Sequence, residues 1–330
     1  MRSGPPQLDS ENNADSPLRV VFMGTPALAA EILARLAEAP PAILHVVSVV
    51  TRPDAERGRG LSLSPSEVAR VAGRLGLPVL KPEKLRAEEF LAALRETRPD
   101  VIVVAAYGRI LPAAVLEAPR LAPINVHASL LPRHRGAAPI EGAILAGDPV
   151  SGVTIMRITD RVDAGPILLK RELPLAADET QGSLKQKLAL LGAEALIEAL
   201  TLLEHGQLDE TPQDESLATY TKPVQKGDAI IDWNAPAVTI ERMTRAYNPW
   251  PVARTTIAGS ELLIWQASVA DEDSHEAQPG AVLRLSPQVT VQCGRGLLTL
   301  IEVQAPGRRR ISAADFARGK RLTEGARLAT

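Results

Sequence analysis

Between residues 18 and 104 the apolar positions alternate between two spacings. The short apolar run at 19–23 and the segment at 45–51 read as strands, and the run at 100–106 is apolar on both faces, as expected of an inner strand of a parallel sheet. They are punctuated by Gly24-Thr-Pro26 and Arg52-Pro53, which stop an extended chain. Segments 27–39, 66–75 and 87–97 place their apolar residues at helical spacing, and 78–80 is a further short strand. Repeated strand–helix units predict an α/β fold: a Rossmann-like, open, mostly parallel sheet with helices on both faces.

The pattern continues with strands at 124–129, 152–158 and 167–173, the last two joined by a turn at 160–165. A long helix over 179–205 follows, with Gly206 at its C-terminal end. Beyond it the periodicity stops, and residues 207–223 are polar and read as a linker. Short alternating strands then appear at 260–266 and 288–292, with Gly280, Gly294 and Gly296 between or beside them and one helix at 237–246. The expected organisation is an extension at 1–17, an α/β domain at 18–206, the linker, and a small β-barrel (OB-like) domain at 224–330.

Composition narrows the class without changing that outline. The chain has 330 residues, 45% apolar and 23% charged, with a formal net charge of -2, as in a globular protein with no polyanion-binding average surface. A single cysteine, Cys293, excludes an internal disulfide and a cysteine metal cluster. No apolar run has membrane-spanning length. Residues 1–17 set Arg2 against Asp9, Glu11 and Asp15, which suits neither a secretory signal nor a mitochondrial presequence. The expected location is therefore the cytoplasm, with no membrane partner.

Ligands of an open parallel sheet bind beyond the carboxyl ends of its strands. Asn125 and His127 lie two apart on a predicted strand, so their side chains share a face, where an amide and an imidazole can grip one oxyanion. Asp163, in Arg161-Val-Asp-Ala-Gly165, can orient that imidazole and favour its protonated form. Taken singly, each has an ordinary alternative: a structural strand pair, and a common turn sequence. His45 reads as a packed histidine at the start of a core strand, His205 as a helix-terminal ring, His275 as a surface residue, and His134 as a replaceable loop position. Gly24-Thr-Pro26 is not a dinucleotide fingerprint, no phosphate-binding loop motif occurs, and no metal-ligand spacing is present; no metal is expected. The loop Arg57-Gly-Arg-Gly60 is either a solvated turn or a phosphate contact through Arg57 or Arg59.

The ordered run from Ile124-Asn-Val-His127 through Ser129-Leu-Leu-Pro132 to Pro139, then Gly152-Val-Thr-Ile-Met156, then Asp163-Ala-Gly165, resembles the methionyl-tRNA formyltransferases. The wider folate-dependent superfamily shares only the Asn-x-His, Ser-Leu-Leu-Pro and distal Asp elements. Here the likeness extends through Phe22-Met-Gly-Thr-Pro26, Ala106-Tyr-Gly-Arg-Ile-Leu-Pro112 and Arg245-Ala-Tyr-Asn-Pro-Trp-Pro251, and covers about residues 18 to 328. The resemblance implies Asn125, His127 and Asp163 as the catalytic trio. It implies Ser129, Leu130, Leu131 and Pro132 as the folate-binding segment, with Ala106, Tyr107 and Gly108 beside the pterin. Arg59 matches the arginine of the family's tRNA-contacting loop, although Leu61-Ser62-Leu63 follow where lysines are frequent, and Leu28 stands where an aromatic is common.

The implied co-substrate is 10-formyltetrahydrofolate, the partner is initiator methionyl-tRNA, and the chain is expected to act as a monomer. Residues 224–330 hold 13 Lys and Arg against 11 Asp and Glu, but the bases cluster at Arg308, Arg309 and Arg310 and at Arg318, Lys320, Arg321 and Arg327. Such clustering suits phosphate contacts. Rival readings are formylation of a small amine, formate-releasing hydrolysis, and a tRNA-binding protein with a relic pocket.

Overall fold

The computed structural model describes residues 16–57 and 62–329. The expected extension at 1–17 falls almost wholly outside them, and so does Arg59. The chain divides into two compact units. One runs to Val126 and takes back Ala193–Thr211; the other holds His127–Gly192 and Pro212–Thr330.

The first unit contains β1 (Leu18–Gly24), α1 (Ala27–Ala37), β2 (Leu44–Val50), the hairpin β3 (Ala55–Arg57) and β4 (Ser62–Ser64), α2 (Glu67–Arg74) and β5 (Val79–Leu80). Then come α3 (Glu88–Glu96), β6 (Val101–Ala105), α4 (Ala113–Leu116) and β7 (Ala122–His127), whose last residue lies at the unit boundary. Strands β5, β2, β1, β6 and β7 lie side by side in that order and all run parallel. All five residues of β6 are buried, which explains its unbroken apolar run. The helices turn their apolar positions inward; in α1 these are Leu28, Ala29, Ala30, Ile32, Leu33 and Leu36. Helix α2 is capped by the buried Ser66 hydroxyl, which accepts the Ala69 N–H at 3.0 Å.

The chain starts in the middle of this sheet, builds outward to β5, then returns to the other side of β1. Strand order therefore reverses between β1 and β6, and their carboxyl ends form the crevice where such folds bind ligands. A Cβ at Gly24, the last residue of β1, would lie 2.7 Å from Ala29 Cβ and 3.0 Å from the Ala105 carbonyl oxygen. Only glycine lets the strand end approach both its helix and β6 so closely. Beyond it, the Thr25 hydroxyl donates to the Tyr107 carbonyl at 3.2 Å and ties the two crevice loops together. His45 is exposed on β2, not packed as the sequence suggested. A histidine at an alternating position of a strand end has no periodic neighbour that fixes which way it faces.

The second unit opens with β8 (Arg135–Gly136) and α5 (Pro139–Ala146), then the antiparallel pair β9 (Val150–Arg157) and β10 (Ile167–Pro174). Helix α6 (Gln181–Glu204) begins here and ends in the first unit. It stops as expected: Gly206, at φ +65°, donates to the Leu203 carbonyl and Gln207 to that of Leu202, closing a Schellman turn. After β11 (Tyr220–Thr221) and α7 (Ala237–Ala246) come β12 (Ala253–Ile257), β13 (Ser260–Asp271), β14 (Val282–Arg284), β15 (Val289–Gln292), β16 (Leu297–Gln304), β17 (Ile311–Ser312), α8 (Ala313–Lys320) and β18 (Leu328–Ala329). Their antiparallel sheet, in the order β14-β15-β16-β13-β12-β18 with β17 on β16, curls over a core of Ile231, Trp233, Ile240, Ile264, Val291, Leu298, Val303 and Phe316. The buried Trp233 indole donates to the Thr255 hydroxyl at 2.9 Å, so its polar edge is satisfied inside that core.

Candidate active site

His127 closes β7 and is 6% exposed. Its Nε2 lies 3.0 Å from the His134 carbonyl, an acceptor only, so Nε2 carries a proton and donates. Its Nδ1 lies 3.7 Å from Asp163 Oδ2, an ion-pair distance and too long for a hydrogen bond. Both ring nitrogens thus face acceptors, and a proton on Nδ1 is turned toward a carboxylate that does not saturate it. Asn125 precedes it by two residues on the same strand, half-buried and in register with Val104 of β6.

Asp163 reaches His127 from the turn between β9 and β10. Its backbone has φ +49°, the left-handed region that aspartate tolerates better than most residues. Its Oδ2 also accepts the Gly136 N–H at 2.8 Å, which fixes the carboxylate on the imidazole side. The turn returns through Gly165, where a Cβ would lie 1.9 Å from the Arg157 carbonyl oxygen; no other residue fits. Gly165 is therefore a steric requirement of the turn that carries the carboxylate.

The 129–136 loop is pinned at several points. Thr154, fully buried on β9, donates to the Ser129 carbonyl at 2.7 Å and accepts the Leu131 N–H at 3.1 Å. Ser129 Oγ donates to the Arg133 carbonyl at 2.7 Å, Leu131 is fully buried, and the Leu131–Pro132 peptide is cis. His134 is not the replaceable position that the sequence suggested. It is 7% exposed at φ +58°, its Nε2 lies 2.6 Å from Asp148 Oδ2, and Arg133 holds the other oxygen of that carboxylate at 2.6 Å. The ring locks the loop so that the His134 carbonyl meets His127.

In the first unit, Ala106 follows β6 at φ +46° and Gly108 lies at φ +75°. Arg52 donates to the Gly108 carbonyl. Tyr107 is 1% exposed, its hydroxyl has no hydrogen-bond partner among the described residues, and burial pushes its ionisation upward. A buried unsatisfied hydroxyl costs about 1–3 kcal/mol, so this group is suited to a polar ligand atom.

Residues that the sequence left unremarked complete the polar network of the second unit. Arg135 is fully buried, with a bidentate pair to Glu215 at 3.0 and 3.1 Å and bonds to Gln213 Oε1 and the Tyr220 hydroxyl. Residues 213–221, part of the aperiodic stretch, form a strap over the loop. Thr219 N–H donates to the Pro132 carbonyl, Thr219 Oγ1 accepts the His134 N–H, and β11 pairs with β8. Among the described residues no group of three His, Cys, Asp or Glu could hold a metal, and no helix is long and apolar enough to cross a membrane.

An Asn-x-His pair at the end of β7, with an aspartate held against the imidazole, defines a candidate acyl-transfer centre. Residues 18–200 match the family model described as formyl transferase, and 223–321 match that of the formyl transferase C-terminal domain. The chain belongs to the formyl transferase family. It is 47% identical over 315 residues to the methionyl-tRNA formyltransferase of Methylococcus capsulatus, covering 95% of this chain and 100% of that one. Against the methionyl-tRNA formyltransferase of Roseiflexus sp. (strain RS-1) it is 48% identical over 312 residues, covering 94% and 95%. HypX from Aquifex aeolicus, solved in complex with tetrahydrofolic acid, shares the fold with a TM-score of 0.59 at 19% identity; the match covers 92% of this chain and 47% of that one.

The strap carries a pH signature. Hydrogen bonds from Arg135 and Arg161 hold the Glu215 carboxyl at about 2, well below its ordinary 4.5. A depressed value in the folded state contributes stability that is whole above about 4.5 and is lost as pH falls toward about 2. The stability advantage of the native chain over Glu215→Gln should therefore shrink across that window. Urea denaturation at pH 6, 4 and 3 checks it; a difference that stays constant would contradict the assignment.

Proposed function

We propose that this chain transfers the formyl group of 10-formyltetrahydrofolate to the α-amine of methionine carried on initiator tRNA. The observation that carries this reading is the likeness, over nearly the full length and through the C-terminal domain, to relatives named methionyl-tRNA formyltransferase. The free amine attacks the formyl carbon, and the carbonyl oxygen takes up negative charge in a tetrahedral intermediate. The Nδ1–H of His127, which faces Asp163 at 3.7 Å without a hydrogen bond to it, and the Asn125 amide stabilise that oxygen, a type of contact worth roughly 3–4 kcal/mol per donor. Asp163 holds the imidazole charge and, through water, takes the proton that the amine loses. Collapse breaks the bond from the formyl carbon to N10, which is protonated as it leaves. The family resemblance assigns folate contacts to Ser129, Leu130, Leu131 and Pro132 and to Ala106, Tyr107 and Gly108; the Tyr107 hydroxyl, without a partner among the described residues, supports a polar ligand there.

For the tRNA, Arg308 and Arg309 are exposed on the turn between β16 and β17, and Lys320 and Arg321 at the end of α8. Arg310 is partly engaged already: its guanidinium stacks 3.2 Å from the Trp265 ring centroid and lies 3.8 Å from Glu302. Arg57 ends β3, and Arg59 lies outside the described residues. The same reading takes the chain as a cytoplasmic monomer, with a catalytic domain at 18–206, a linker at 207–223 and a tRNA-binding domain at 224–330.

Incubation with 10-formyltetrahydrofolate and methionylated initiator tRNA should yield N-formylmethionyl-tRNA. Formylation of a purine precursor or amino sugar instead, or release of formate alone, would overturn the acceptor assignment. Replacing Arg308 and Arg309 together by Ala should reduce the slope of log affinity against log salt by roughly 1–2, about 0.7–0.9 per lost phosphate contact. An unchanged slope, measured by filter binding, would remove this turn from the tRNA surface.

A further inference from the structure

The turn that presents Asp163 is held from outside by one side chain. Gln213 Nε2 donates both of its protons, to the Asp163 carbonyl at 2.9 Å and to the Gly165 carbonyl at 2.7 Å. Its Oε1 accepts two bonds from Arg135, from Nε at 3.1 Å and Nη2 at 2.8 Å. Carbonyls only accept and a guanidinium only donates, so the amide has one orientation, with all its hydrogen-bonding capacity used. Arg135 is in turn fixed by full burial, by Glu215 and by the Tyr220 hydroxyl.

We propose that Gln213 is a positioning residue for formyl transfer: clamped by Arg135, its amide holds the 163–165 turn and so sets the Asp163 carboxylate against His127. The turn needs such a clamp because Asp163, a non-glycine residue, is held in the left-handed region. The carboxylate's second anchor, the Gly136 N–H, belongs to β8, which pairs with β11 of the same strap. Residues 213–221 therefore hold the backbone of Asp163 at one end and its Oδ2 at the other. The Nδ1 to Oδ2 separation of 3.7 Å is where this control is felt. The hydrogen bonds of Gln213 go to Arg135 and to the backbone of the turn, and its effect runs through the turn.

This inference rests on the formyl-transfer reading for its activity arm and on geometry alone for its spectroscopic arm. Gln213→Glu keeps an oxygen for Arg135 but sets a carboxylate oxygen against two carbonyls, so the hold on the turn is lost. Gln213→Met keeps length and volume without hydrogen bonds. In the full-length chain, both should lower kcat about 10–100-fold, since displacement of a catalytic group by about 1 Å costs up to about 100-fold. KM for folate and for tRNA should stay within about threefold of the native values, a conventional margin for unchanged ground-state binding. Both variants should also move the imidazole 15N shifts of His127 at fixed pH, and Gln213→Asn, which keeps the amide on a shorter arm, should restore part of kcat. Native kcat with unmoved His127 shifts in the variants would overturn the proposal. So would a kcat loss that follows thermal destabilisation with the shifts unmoved. The 15N measurement needs no substrate, so it decides the role of Gln213 even if the native chain failed to formylate methionyl-tRNA; that failure would count against the function reading alone.

Discussion

The Asp163 carboxylate faces an imidazole across 3.7 Å, from a turn whose backbone is left-handed. A non-glycine residue in that region costs of order 1 kcal/mol, and a net hydrogen bond returns about as much. The turn is therefore kept by the sum of its ties: the Gly136 N–H, the two donations from Gln213 and the tight passage at Gly165. Behind them stands Arg135, a charge with no exposed surface that is tolerable only because Glu215, Gln213 and Tyr220 surround it. A chemically simple pair thus depends on a network several residues deep.

The two units are built in different ways. In the first, the reversal of strand order sets the crevice, and Gly24 and the Thr25 to Tyr107 bond shape its loops. There the work is done by regular elements. The second unit places its polar groups on short loops, braced by Thr154 from a strand, by the His134–Asp148 pair and by the strap. Its curled sheet encloses an apolar core of its own and carries exposed bases on a turn and at a helix end.

What the sequence revealed follows the same division. Strands and helices whose burial marks the chain were legible: β6, buried throughout, as an unbroken apolar run and α7, buried on one face, as helical spacing, each within a residue or two of its expected bounds. Asn125 and His127 were legible as a pair because strand geometry alone puts them on one side. Asp163 was only a turn residue until the family motif gave it a partner. Arg135, Gln213 and the β8–β11 bridge left no trace, since two-residue strands have no period and a buried arginine looks like any loop cation. His134 misled for the same reason: its value lies in a tertiary contact with Asp148, which spacing does not encode.

Single-turnover formylation of methionyl-initiator tRNA, at saturating 10-formyltetrahydrofolate, tests the centre of this account most directly when the native chain is compared with His127→Ala and Asp163→Asn. The account predicts a loss of about 100-fold or more in the chemical step for each, with folding intact, as expected when transition-state charge loses its preorganised partner. Rates near those of the native chain in both variants would contradict it.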